Sequence, residues 1–204
     1  MPVICPIDLD VAALRSELQS MYSRVAKAPD GAFHFHRGPA YAATRLRYDP
    51  EELAAVPADV TAAFAGIGNP HAIQPIRAGE VVLDIGCGAG TDLLLAARRV
   101  GPAGRAIGVD MTEGMRRRAV AGAEASGLGN VDVRDGDATA LPVDDHRIDV
   151  VISNGVLNLV PDKPLAFAEL ARVLKPGGRA QIADIVIGEA LPDSARRDID
   201  LWTD

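Results

Sequence analysis

The sequence predicts an α/β fold, in which a doubly wound parallel sheet carries helices on both faces. From residue 79 onward, short apolar segments alternate with helical ones, a pattern typical of repeated strand–helix units. A glycine-rich turn follows the first apolar segment, and an acidic residue, Asp110, ends the second. Together these observations predict a Rossmann-like sheet with a ligand at the carboxyl ends of its strands.

The N-terminal part is predicted to be helical. Leu14, Leu18, Met21 and Val25 recur at helical spacing behind Asp10, which predicts an amphipathic helix over 10–26. Proline and glycine interrupt the chain at 29–39, Asp49 and Pro50 favour a new helix start, and 64–70 is a glycine-rich connector. We assign 1–78 as a helical lid on the substrate side and 79–204 as the cofactor-binding core, within one structural domain.

The core elements follow in order. We predict strands at 81–86, 105–109, 130–134, 148–153 and 179–187, and helices at 91–100, 113–126, 163–174 and 192–202. Lys175-Pro176-Gly177-Gly178 is predicted to stop a helix and turn into the last strand.

Composition narrows the class of protein. The 204 residues are 48% hydrophobic with a net charge of −7, enough for one packed core and unfavourable for binding nucleic acid. No apolar run approaches the roughly 20 residues of a membrane span, and residues 1–10 lack a signal-peptide pattern. The two cysteines, Cys5 and Cys87, predict no disulfide framework, and we expect a cytoplasmic protein.

The glycine turn predicts a nucleotide-like ligand. Gly86, Gly88 and Gly90 allow a sharp turn after the strand and close approach of a ligand to the backbone. The dinucleotide fingerprint places a small residue where Thr91 stands, and no Gly-Lys-Ser/Thr follows, so neither a pyrophosphate nor a phosphate-loop site is expected. An ordinary strand–helix turn remains the alternative.

Asp110 supports an adenosine-type cofactor. It follows the turn at a distance of about 20 residues, where a carboxylate accepts hydrogen bonds from ribose hydroxyls. The alternative is that Asp110 caps the next helix, although Thr112 offers a side-chain oxygen for that role.

The chain resembles the class I S-adenosylmethionine-dependent methyltransferases, and among them the arsenite methyltransferase group. The resemblance covers about residues 22–189. Its segments are Tyr22–Ala26, Phe64–Pro70, Val81–Thr91, Gly108–Thr112, Leu141–Val143, Ser153–Leu159 with Pro161–Lys163, and Arg172–Gly178.

The resemblance implies S-adenosylmethionine as cofactor, S-adenosylhomocysteine as product and the following cofactor contacts. Asp84, Gly86, Cys87, Gly88 and Gly90 would form the turn and the methionine site. Asp110 would bind the ribose, Met111 would pack on adenine, and Asp137 and Ala138 would face its edge. Asn154 would lie near the amino-acid end, and Tyr22 would close over the cofactor. Asp137 could instead be an ordinary loop acid, and Tyr22 a core aromatic.

Two departures from the arsenite methyltransferases bear on the acceptor and the assembly. Relatives hold trivalent arsenic with cysteine thiolates, whereas one such position is Gly155 here and 22–80 contains no cysteine. The chain also stops at Asp204, before the last two strands of the class I fold. Either the sequence is a truncated form, or a partner covers the edge of strand five, for which we predict a homodimer.

No catalytic residue or metal site is assigned. His34 and His36 are the candidate bases if the acceptor must lose a proton, and Asn158 is a candidate hydrogen-bond partner of the substrate. The histidine pair could equally be a metal-binding fragment or part of a half-exposed strand, while His71 and His146 are interpreted as loop residues.

The predicted function is methyl transfer to a small-molecule acceptor, without nucleic acid or membrane as a partner. Two alternatives are an arsenite or metalloid methyltransferase with divergent or missing cysteines, and a non-catalytic S-adenosylmethionine-binding protein.

Overall fold

The computed structural model describes residues 9–189, 192, 194–195 and 198–203 of the chain. Cys5 and residues 193, 196 and 197 of the predicted helix 192–202 therefore lie outside the described residues. The helices are α1 (Val11–Lys27), α2 (Gly38–Leu46), α3 (Pro50–Ala54), α4 (Ala58–Ala62), α5 (Thr91–Val100), α6 (Glu113–Ala125), α7 (Lys163–Val173) and α8 (Ile199–Thr203). The strands are β1 (Val81–Ile85), β2 (Arg105–Asp110), β3 (Val131–Asp135), β4 (Ile148–Asn154) and β5 (Leu174–Ala183).

The strands form a parallel sheet in the order β3-β2-β1-β4-β5. The α/β prediction is therefore confirmed. Chain order reverses between β1 and β4, so a crevice opens where their carboxyl ends meet, beside Ile85 and Asn154. Asp110 ends the neighbouring strand β2 on the other side of β1.

The sheet is buried on both faces. Along β1, Val82 packs in a cluster with Leu93 of α5, whereas Leu83 packs in the opposite cluster with Leu170 of α7. All three of these leucines and Val82 are buried. The apolar strands of the sequence therefore reflect helices on both sides of a parallel sheet.

The last strand differs from its prediction. β5 begins at Leu174, includes the Lys-Pro-Gly-Gly segment and ends at Ala183, rather than spanning 179–187. Leu174 pairs with Ile148, and the register shifts between Ile148 and Val150. Arg179 is the next residue of β5 that pairs with β4, opposite Val150, so residues 175–178 form an irregularity in the strand where the turn was expected.

Helix α1 lies over the carboxyl-terminal end of the sheet. Its predicted apolar stripe is confirmed, with Leu14, Leu18, Met21 and Val25 buried, and Asp10 caps it by accepting from the amide of Ala13 at 2.9 Å. The stripe packs with Met111, Leu159 and Trp202, which come from loops after β2 and β4 and from α8. The domain boundary at 78/79 stays a prediction.

Strand β5 lies at the edge of the sheet among the described residues. The chain after it carries exposed apolar side chains at Ile185, Val186 and Ile187. Homodimer formation through this edge stays a prediction. In the described part of the chain, no helix combines the length and the apolar character needed to cross a bilayer.

Candidate functional site

A cavity of about 430 Å³ lies at the carboxyl ends of β1, β2 and β4, beneath α1. It brings together most of the residues predicted to contact the cofactor. Those lining it are Tyr22, Asp84, Gly86, Cys87, Gly88, Asp110, Met111, Asp137, Ala138 and Asn154.

The three turn glycines serve different purposes. All have positive φ, at 70° for Gly86, 52° for Gly88 and 101° for Gly90. A Cβ on Gly86 would lie 2.4 Å from Val156 Cγ2, and one on Gly90 would lie 3.0 Å from Ala119 Cβ, so these two permit packing. A Cβ on Gly88 would meet no protein atom within 4 Å. Gly88 therefore leaves space for a ligand, whereas Gly90 lies outside the cavity lining and allows close packing of α6. The predicted cofactor contact of Gly90 stays a prediction.

Asp110 ties the glycine turn to the next helix. Its Oδ2 accepts from the Gly88 amide at 2.9 Å, and its Oδ1 accepts from the Thr112 amide at 2.8 Å. The Thr112 side chain makes no capping hydrogen bond, so the carboxylate of Asp110 satisfies this helix start instead. Burial raises the pKa of Asp110 above its ordinary value despite these bonds. Each carboxylate oxygen retains a further lone pair for a ligand hydroxyl.

Asp84 carries an unpaired carboxylate oxygen. The residue is 2% exposed, and its Oδ2 has no hydrogen-bond partner in the protein. Burial, followed by the charges of Asp92 and Asp110, raises the pKa of Asp84 well above its usual range. Because an unpaired buried carboxylate is costly, this oxygen calls for a hydrogen-bond donor or a cation from a ligand.

Asn154 borders the cavity, but protein groups occupy its amide. Its Oδ1 accepts from the amides of Ile67 at 2.8 Å and Gly68 at 3.1 Å. Its Nδ2 lies within 3.0 Å of three acceptors, namely the hydroxyl of Tyr48, the carbonyl of Gly68 and Oδ2 of Asp92. The side chain therefore fixes the 66–68 segment, and a direct bond from it to the cofactor is not supported.

The sequence interpretation missed Tyr48, His71 and Asp92. His71, interpreted as a loop residue, lies in a 3-10 turn with its side chain 1% exposed and its Nε2 3.2 Å from Oδ1 of Asp92. Tyr48 donates its hydroxyl to the same oxygen at 2.7 Å. The available signal was Asp92 itself, a carboxylate in the first turn of α5 directly before the apolar run Leu93–Ala97.

The far end of the cavity lies beyond the tips of β2 and β3. Asp137 contacts Arg15 of α1 there, and Gln19 Nε2 donates to the carbonyl of Met111 at 3.2 Å. Tyr22 borders the same cavity, where burial and the nearby charge of Asp110 raise its pKa to about 12. Tyr22 also packs against core residues, so both interpretations of this side chain remain compatible with its place.

The three residues predicted to contact substrate lie outside the cavity lining. His34 packs edge-on against Phe35, and His36 stacks on Tyr41 with ring centroids 5.2 Å apart. Asn158 lies in a 3-10 turn, and its backbone amide donates to the carboxylate of Asp184, which follows β5. Within the described residues the cavity lining contains no histidine or lysine, and no group of metal-ligating side chains is found.

This strand order, the glycine turn and the acid at the tip of β2 define the fold of the class I S-adenosylmethionine-dependent methyltransferases. Residues 76–203 match the family described as a methyltransferase domain, and the chain belongs to that family. S-adenosylmethionine is the cofactor of this class of protein.

Two curated methyltransferases are similar to this chain in sequence. The chain is 45% identical over 159 residues to an arsenite methyltransferase from Halobacterium salinarum, covering 78% of this chain and 40% of that protein. It is 44% identical over 103 residues to nocamycin O-methyltransferase from Saccharothrix syringae, covering 50% of this chain and 37% of that protein. The chain thus spans about two fifths of these curated relatives.

A solved structure shows the same relationship. An arsenic(III) S-adenosylmethionine methyltransferase from Chlamydomonas reinhardtii superposes with a TM-score of 0.65 at 38% identity. The match covers 71% of this chain and 51% of that one.

Proposed function

We propose that this chain binds S-adenosylmethionine in the cavity and transfers its methyl group to a small-molecule acceptor, releasing S-adenosylhomocysteine. The observation that carries the proposal is the unpaired buried oxygen of Asp84, in the same cavity as Asp110 and the open face of Gly88. A donor-rich, positively charged ligand satisfies this oxygen, and backbone contact is available at Gly88.

The two ends of the cavity suit the two parts of such a ligand. Asp110, at the tip of β2, would accept from the ribose hydroxyls, with Met111 and Asp137 beyond it. Asp84 and Asp92, beside the tip of β4, would face the amino-acid portion. When bound, S-adenosylmethionine supplies a methyl group already activated by a positively charged sulfur.

The acceptor side of the cavity is apolar apart from one carboxylate. Val156, Leu159, Val160, Pro161 and Leu165 line it, and they would exclude water around the acceptor. Asp162 is the carboxylate there, and its Oδ1 already accepts from the Leu165 amide at 3.0 Å. The protein would therefore act by alignment and desolvation on an acceptor that brings its own lone pair.

Arsenite or another metalloid with its own thiol ligands is the alternative acceptor. Similarity to two arsenic methyltransferases favours it, whereas the cavity lining offers Cys87 as its cysteine and Gly155 at a position where relatives place one. Burial raises the pKa of the Cys87 thiol well above its usual value, which opposes formation of a thiolate. A second alternative is a protein that binds the cofactor without catalysis.

Two experiments separate these functions. Calorimetry with S-adenosylhomocysteine tests cofactor binding, and a chain that does not bind it contradicts all three. A screen of organic acceptors and arsenite–glutathione, read by mass spectrometry for an added methyl group, then separates the first two from the third.

We also propose the homodimer through the β5 edge. Light scattering across a concentration series tests it, and a monomer at all concentrations contradicts it.

A further inference from the structure

A buried polar network lies behind the β4 side of the cavity. Tyr48 is 3% exposed, and its hydroxyl donates to Asp92 Oδ1 at 2.7 Å while it accepts from Asn154 Nδ2 at 3.0 Å. His71 approaches the same Asp92 oxygen at 3.2 Å. Neither ring nitrogen of His71 meets hydrogen-bond geometry, so its contact is electrostatic and the hydroxyl of Tyr48 is the better-directed partner.

The network reaches the cavity through two of its members. Asp92 and Asn154 line the cavity, whereas Tyr48 and His71 do not. Asn154 also holds the chain at Gly68 and Ile67, and a Cβ on Gly66 would lie 2.3 Å from its Nδ2. The position of Asp92 and the course of this segment therefore depend on the same hydroxyl group.

The network also sets the charge at this end. Burial works to raise the pKa of Asp92, but its contacts with His71, Asn154 and Tyr48 outweigh burial and lower it. Burial and the Asp92 charge raise the pKa of Tyr48 above its ordinary range, so Tyr48 remains a protonated donor. An ionised Asp92 thus lies beside Asp84, whose Oδ2 has no partner.

We propose that Tyr48 is a positioning residue for the amino-acid portion of the cofactor, acting by fixing Asp92 and Asn154 at that end of the cavity. The inference rests on the proposed function, because it presumes that S-adenosylmethionine occupies the cavity. In this proposal Asp110, at the tip of β2, binds the adenosine portion, whereas the hydroxyl of Tyr48 contacts Asp92, Asn154 and Gly68 at the other end.

Two ligands that differ only in the amino-acid portion test this role. Calorimetry on the full chain uses S-adenosylhomocysteine, which has that portion, and 5′-methylthioadenosine, which lacks it. Tyr48→Phe removes one hydroxyl and keeps the ring. We expect about tenfold weaker binding of S-adenosylhomocysteine, since one hydrogen bond to a charged group is lost, and less than about twofold change for 5′-methylthioadenosine.

Tyr41→Phe is the matched control, because Tyr41 stacks on His36 outside the cavity lining. This variant should bind both ligands as the unmodified chain does. Gln181→Leu is the second control. It removes the bond from Gln181 Nε2 to the carbonyl of Pro70, 3.0 Å long, and so loosens the neighbouring segment without touching Asp92. If it produced the same selective loss, the role assigned to Tyr48 would be overturned.

Equal weakening of both ligands, or no weakening, by Tyr48→Phe would also overturn the inference. Failure of the unmodified chain to bind S-adenosylhomocysteine would instead reject the proposed function, so the two failures are distinguishable. If Tyr48→Phe does not fold, as judged by circular dichroism, His71→Leu carries the same test from the other side of Asp92 with the same expected selectivity.

Discussion

Gly88 offers the sharpest test of the cavity, because a methyl group can be added there without touching the protein. Gly88 has φ of 52° and lines the cavity, and a Cβ on it would meet nothing within 4 Å. Gly127, after α6, has φ of 63°, also meets nothing and lies outside the lining. Gly88→Ala and Gly127→Ala are thus matched in backbone strain and differ in their place relative to the cavity.

The expected magnitudes follow from this geometry. The left-handed conformation costs an alanine about 1–2 kcal/mol, and lower entropy of the unfolded chain returns about 0.4–1 kcal/mol. Each variant should therefore lose roughly 1 kcal/mol, or about 2–4 °C in Tm for a chain of this size. Against a bound cofactor, the methyl group at residue 88 should cost a further ~1–3 kcal/mol, weakening binding by about 5- to 150-fold.

Thermal unfolding and calorimetry with S-adenosylhomocysteine measure the two effects separately. We expect similar Tm values for the two variants and weaker binding in Gly88→Ala alone. Unchanged binding in Gly88→Ala would refute the placement of the ligand against the turn. A binding loss shared by Gly127→Ala would show that strain, and not the cavity, is responsible.

Three further predictions follow from the cavity walls. Asp84→Asn should stabilise the ligand-free protein at pH 7, because a raised pKa in the folded state makes ionised Asp84 unfavourable there. The gain should shrink as pH falls and disappear below about 4, where the group becomes protonated in the unfolded chain as well. Denaturation at several pH values that shows no such trend would contradict this prediction. Arg15→Met should leave Tm nearly unchanged, since the Arg15 side chain is 49% exposed. It should weaken cofactor binding, because it removes the contact between α1 and Asp137. Calorimetry that shows equal affinity for the variant and the unmodified chain would count against α1 as a lid. Ile67→Cys combined with Gly155→Cys should create a site that binds trivalent arsenic. A Cβ at residue 155 would lie 3.3 Å from Ile67 Cγ1, and paired thiolates suit this soft ion. If the double variant retains no more arsenic than either single variant, the thiolate pair does not form.

Local sequence was sufficient for the fold and for much of the cavity that we propose as the methyl-donor site. The turn, the acid at Asp110 and the stripe of α1 are each encoded within a few neighbouring residues, and the structure has them where the patterns place them. The start of β5 was wrong because a Pro-Gly-Gly segment usually breaks structure, and the sequence does not show that Leu174, ahead of this segment, already pairs with Ile148 of β4.

The remaining parts of the site depend on contacts between distant segments. The chain before β1 folds back over the tip of β4 and brings Tyr48 and His71 into contact with Asp92. No spacing pattern in the sequence predicts these contacts. His34 and His36 attracted attention as titratable side chains, but side-chain chemistry alone does not show whether a residue reaches the cavity. The ring of His34 packs against Phe35 and that of His36 stacks on Tyr41, outside the cavity lining.

The same division separates the proposed methyl-donor half of the cavity from the proposed acceptor half. In our proposal the donor half lies on strand tips of a fixed sheet, so its residues follow from the order of strands. The proposed acceptor half lies among α1 and the loops at 63–66 and 154–165, which meet only in the folded chain. Gly155, with φ of 72° and its Cα face toward Ile67, lies where these loops meet. A small residue there leaves the wall apolar, so we expect the choice of acceptor to depend on what these loops exclude more than on any single reactive side chain.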